Sequence, residues 1–107
     1  MQKVLQERYD ILIGLKDKDL LEQLMSTNAF VEIVSNICEQ SKIGYSLKKM
    51  RGGYIMKNGT YIKEESLHLS LNGISEKQAL KIAEKIKESF NQECVIVTKE
   101  IIETFIV

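Results

Sequence analysis

The sequence predicts a ferredoxin-like α+β sandwich of order βαββαβ, with an extended hairpin arm between its second and third strands. Three observations predict it. Apolar residues recur at two-residue spacing in four runs and at helical spacing in two, in the order strand, helix, strand, strand, helix, strand. A Gly-rich stretch carrying the turn signal Asn58-Gly59 separates the second run from the third. The 107 residues match one domain and are enough to bury a core without disulfides or metal.

Residues 1–6 read as a frayed end. The first strand is expected over Arg8 to Leu15, where Tyr9, Ile11, Ile13 and Leu15 alternate. Gly14 weakens that run and marks a close backbone approach. Lys16 to Asp19 is a charged turn, and Leu20 to Met25 a connector. A helix starts near Ser26 or Thr27, both good caps, and places Phe30, Ile33, Val34, Ile37 and Cys38 on one face.

The second strand is expected over residues 43–50, with Arg51-Gly52-Gly53 interrupting it. Residues 51–65 then form a β-arm with its tip near Asn58-Gly59. The third strand has the cleanest alternation: Leu67, Leu69 and Leu71 one way, Ser66, His68, Ser70 and Asn72 the other. Ser75 to Gln78 is a capping box, and Ala79, Ile82, Ala83, Ile86 and Phe90 form the buried face of the second helix. A short strand from Cys94 to Val97 follows, then a separate apolar run over residues 101–107. The usual topology gives strand order four-one-three-two, both helices on one face and the other face bare.

Lys+Arg and Asp+Glu number 15 each, so global attraction to nucleic acid or membrane is not expected. The bare sheet face, the zero net charge and the apolar C-terminal run point to a homo-oligomer. Cys38 and Cys94 have no metal-ligand neighbours and read as buried, small apolar residues in a reducing cytoplasm. No run approaches the ~20 apolar residues of a membrane span.

The residues that could carry chemistry are sparse. His68 is the one histidine, flanked by Ser66 and Ser70, with no acidic partner visible nearby in sequence. Glu64 and Glu65 read as solvated charge. Asp17 and Asp19 lack the spacing of a calcium loop, and Gly52-Gly53 lacks the context of a phosphate loop. No metal, cofactor or catalytic residue is therefore expected. The arm offers a binding surface instead, because basic groups interleave with aromatics there. Lys49, Arg51, Tyr54, Met56, Lys57 and Tyr61 are the expected partner-binding residues, with nucleic-acid contact as a further expectation through the same basic arm.

The stretches Gly14 to Asp19 with Ser26-Thr27, Gly53-Tyr54 through Gly59-Thr60-Tyr61 to Glu65-Ser66-Leu67, and Phe90 to Glu93 resemble small proteins carried by phages and mobile elements of low-GC bacteria. That resemblance implies an accessory role, including inhibition of a host defence system in an anti-CRISPR-like manner. The architecture is also similar to the trimeric PII and CutA families. It implies nucleotide binding at subunit clefts, although no PII or CutA ligand motif is present. The reading is a cytoplasmic, non-enzymatic interaction protein that binds a host protein or nucleoprotein complex. The alternatives are a PII- or CutA-like ligand sensor and a small enzyme using His68.

Overall fold

Four antiparallel strands and two helices alternate as the sequence predicts: β1 (Gln2–Gly14), α1 (Thr27–Gln40), β2 (Ser46–Ile55), β3 (Tyr61–Asn72), α2 (Glu76–Ser89) and β4 (Ile96–Ile106). The structure, a computed structural model, describes residues 1–55, 57–92 and 94–107, with Tyr54 described by its backbone alone. The sheet order is β2-β3-β1-β4, the expected order read from the other edge. Among the described residues, no helix is long and apolar enough to cross a membrane.

Alternation decides which side of the sheet is covered. Tyr9, Ile11 and Ile13 of β1 and Leu67, Leu69 and Leu71 of β3 are all buried on the helix side. They meet Phe30, Val34 and Cys38 of α1 and Ala79, Ile82, Ala83 and Ile86 of α2. Phe30 and Phe90 close this core with ring centroids 4.6 Å apart at a tilted angle. Both helices are capped as expected. The Ser26 side chain accepts from the Ala29 N–H, and Ser75 and Gln78 satisfy each other's backbone in a full capping box. Ser75→Ala should lower stability by about 1 kcal/mol, read as a shift in the denaturation midpoint.

Three expectations need correction. Of residues 1–6, expected to fray, all but Met1 are strand. Residues 2–7 extend β1 and pair with residues 101–106, Gln2 opposite Ile106 and Glu7 opposite Ile101. The two apolar runs at the C-terminus are one strand, β4, continuous through Lys99 and Glu100. Their charges look like an interruption in sequence, but each has an opposite charge in reach: Lys99 Nζ lies 3.4 Å from Glu7 Oε1, and Arg8 Nη2 3.1 Å from Glu100 Oε2. Finally, Gly52-Gly53 does not break β2, which starts later and runs on to Ile55.

The long pairings leave a ribbon at each end of the sheet. The β2–β3 arm continues past Gly14, the last β1 residue opposite β3. The β1–β4 ribbon continues past Asn72 at the other end. They draw the chain out to 51 × 30 × 22 Å.

Candidate functional site

The helix-free face of the sheet collects the second half of every alternation. Where Tyr9, Ile11 and Ile13 enter the core, Arg8, Asp10, Leu12 and Gly14 must face the other way. On β3 the same rule puts Glu64, Ser66, His68 and Ser70 on this face. Two cavities lie along it.

The first stands at the root of the arm. Gly14 pairs with Ser66, and Gly52 with Glu64, so Glu64 lies just beyond the end of β1. Its half-buried carboxylate bends back over Gly14, filling the space a Cβ there would need. This is the close approach that Gly14 signals in the sequence, made by a side chain rather than by backbone. Leu12, Ile96, Cys94, Ser66 and the two arm glycines complete a cavity of about 460 Å³. Gln92 borders it, and its amide Nε2 donates to the Lys16 carbonyl at 2.5 Å, tying the α2–β4 loop to the end of β1. Among the described lining residues Glu64 is the one charged group. No described cation lies within ion-pair distance of it.

The expectation that both cysteines are buried holds for Cys38 and fails for Cys94, which lies in the open loop before β4. Cys94 is exposed at this cavity, whereas Cys38 is buried in the core. Burial pushes the Cys38 thiol up to about 11, and the nearby Glu39 adds to the effect. A maleimide should therefore label Cys94 in the native protein and Cys38 only on unfolding, which mass spectrometry of the labelled peptides checks.

The second cavity, about 570 Å³, lies further along the same face. Here His68 Nε2 sits 2.8 Å from Asp10 Oδ1, so the histidine has the acidic partner that its sequence neighbours do not supply. Asp10 is two residues from Leu12, which pairs with His68, and this diagonal across adjacent strands carries the contact. Burial raises the Asp10 pKa, but hydrogen bonds from His68 and Ser70 and the Arg8 guanidinium outweigh it and hold the carboxyl below its ordinary value. The depressed pKa stabilises the fold above about pH 4, and that stability is lost as the pH falls through the native value. Asp10→Asn should therefore flatten the acid limb of the stability–pH curve, measured by urea unfolding at a series of pH values. Arg8 and Lys48 are matched here by Asp10 and Glu100, so the cavity has no basic excess with which to hold phosphate.

The expected arm residues are not gathered into one surface. Lys49, the partner of buried Leu67, and Arg51 share the helix side of β2. Exposed Tyr61 lies on that side too, where its ring occupies the space beside Gly53. Lys48 faces the opposite side with His68, and Lys57 is exposed in the tip turn. Met56 and the Tyr54 side chain lie outside the described residues. Asp17 and Asp19 form no ion pair with a described cation, and the Asn91 amide donates to both, at 2.9 and 3.0 Å.

No known family model and no curated protein matches the chain. Solved structures do share its fold. The chain is similar to a phage SAM lyase. That structure, in complex with S-methyl-5′-thioadenosine, superposes with a TM-score of 0.66 at 20% identity, over 92% of this chain and 88% of the lyase. A PII-like nitrogen regulatory protein from Thiomonas intermedia K12, bound to ADP, AMP and bicarbonate, gives 0.58 at 11% identity over 98% and 100%. The B. subtilis GlnK–ATP complex gives 0.58 at 10% over 90% and 82%. At these identities the likeness establishes the fold, and it bears out the PII-like architecture read from the sequence. It also corrects the non-enzymatic expectation. An enzyme, a SAM lyase, stands among the structures with this fold, and the premise that His68 has no acidic partner fails. None of the three supports a defence inhibitor.

Proposed function

We propose that this protein is a lyase acting on S-adenosylmethionine, held in the cavity between Gly14 and Glu64. One observation carries the reading: the cavity holds a lone carboxylate among uncharged, largely apolar and glycine walls, with no described cation. A sulfonium brings a positive charge to that carboxylate. A nucleotide brings phosphates, which the same charge repels. The methyl group and adenosyl body suit Leu12 and Ile96, and the glycines allow close approach by a flat ring.

The chemistry asks little of the protein in acid or base. The bond between sulfur and the amino-acid chain breaks, and sulfur keeps the electron pair. The substrate's own carboxylate closes on the carbon that sulfur leaves. The products are a neutral thioether, S-methyl-5′-thioadenosine, and a lactone, and neither water nor a proton enters. Positioning and exclusion of water supply the catalysis. Glu64 attracts the charged substrate and loses its counter-charge when sulfur becomes neutral, which favours product release.

Chromatography of S-adenosylmethionine incubated with the protein tests this: S-methyl-5′-thioadenosine should accumulate. S-Adenosylmethionine should also slow maleimide labelling of Cys94, and ATP should not. Absence of product, with protection by ATP instead, would favour a nucleotide sensor and overturn the lyase reading.

A further inference from the structure

The outer edge of β4 is unpaired by any other described strand, and it is long: Ile96–Ile106. A long apolar edge of this kind invites another strand. Its side chains are unusually exposed for their type, Ile96 at 57%, Ile101 at 72%, Phe105 at 52% and Ile106 at 53%. The sequence of the edge, IVTKEIIETFI, is also close to self-complementary about Ile101.

We propose that β4 pairs antiparallel with β4 of a second copy, on a two-fold axis through Ile101. This register sets Ile101 opposite Ile101, Lys99 opposite Glu103, Thr98 opposite Thr104, Val97 opposite Phe105 and Ile96 opposite Ile106. Each is a pair type that stabilises antiparallel sheets: apolar on apolar, opposite charges, threonine on threonine, aromatic on β-branched. Glu100 meets Ile102, the one indifferent pair.

Other registers do worse. Moving the axis to Glu100 sets two glutamates face to face. Moving it to Ile102 places Lys99 opposite Phe105 and Ile101 opposite Glu103. Only the Ile101 axis, of these three, joins opposite charges and avoids like ones.

The charges around the edge extend the match. Glu103 already pairs with Lys3 at 3.3 Å, and Lys99 with Glu7 and Glu76 at 3.4 Å. Across the axis these become one alternating chain of charge on the helix side. Such exposed pairs contribute little affinity, so their effect is to select the register while the apolar pairs supply attraction. The register keeps the helices of both copies on the same side of one continuous eight-stranded sheet and leaves its other face open.

Mass in solution tests the pairing, measured by light scattering and sedimentation over a range of concentrations. The wild type should reach twice the monomer mass. Glu103→Lys sets lysine opposite Lys99 and should weaken association at least tenfold. Adding Lys99→Glu restores opposite charges across the axis and should recover dimer, which a general loss of solubility or folding would not do. Ile101→Cys in a Cys94→Ser background should form a covalent dimer under mild oxidation, because directly opposed strand residues lie within disulfide reach. A monomeric or three-fold wild type, failure of the charge swap to rescue, or no cross-link at position 101 would each overturn the proposal.

Discussion

Leu69→Ala should destabilise the fold by about 2–5 kcal/mol, through lost transfer energy and the cavity left behind. Leu69 is fully buried in β3, with Ile11 opposite it on β1 and Leu47 on β2. Both flanking strands and the helices above therefore limit how far the site can collapse. With typical urea dependence, the midpoint should drop by roughly 1 M or more. The contrast is Leu5, 67% exposed on the ribbon, where the same change should move the midpoint far less. Equal effects at both positions would mean that the core is misassigned.

The largest functional effect is expected at Glu64. Glu64→Gln keeps the shape over Gly14 and removes the charge. Charge-assisted contacts contribute about 1.5–3 kcal/mol, roughly 10- to 150-fold in affinity. The loss should appear mainly in KM for S-adenosylmethionine, because the attraction is strongest before sulfur loses its charge. Glu64→Lys should abolish measurable turnover while the melting transition stays close to that of the wild type. Gly14→Ala offers a check from the other side of the contact: its Cβ occupies the carboxylate's place, so it should mimic Glu64→Gln without changing any charge. Steady-state kinetics on the three variants distinguishes the cases. An unchanged KM in Glu64→Gln would remove Glu64 from the site.

Much of this fold could be read from local pattern. The alternation of Leu67, Leu69 and Leu71, the helical spacing of Ile82, Ala83 and Ile86, and the Ser75–Gln78 box are each decided by neighbours a few residues apart. The misread parts depend on distant partners. Residues 2–7 carry a weak pattern and become strand only because residues 101–106 lie beside them. Lys99 and Glu100 look like a break until Glu7 and Arg8 are in place. The site follows the same division. Gly14 was visible as an anomaly in its strand, but nothing local says that the Glu64 carboxylate would fill the space. His68 falls on the polar side of its strand's alternation, but its contact with Asp10 needs β1 and β3 to be adjacent and in one register. The arm attracted attention because its basic and aromatic residues cluster in sequence. Strand alternation then sends Lys48 and Lys49 to opposite sides.

The place of β1 in the sheet has a kinetic consequence. It lies between β3 and β4, the partners farthest along the chain, and does not pair with β2, the strand that follows it in sequence. The β2–β3 hairpin can close within microseconds, but β1 must wait for long loops to close, a topology that places folding in the slower millisecond-to-second range. During synthesis the delay is greater. Gln2 is made about a hundred residues before its partner Ile106, so the first part of β1 emerges from the ribosome well before the strand it pairs with.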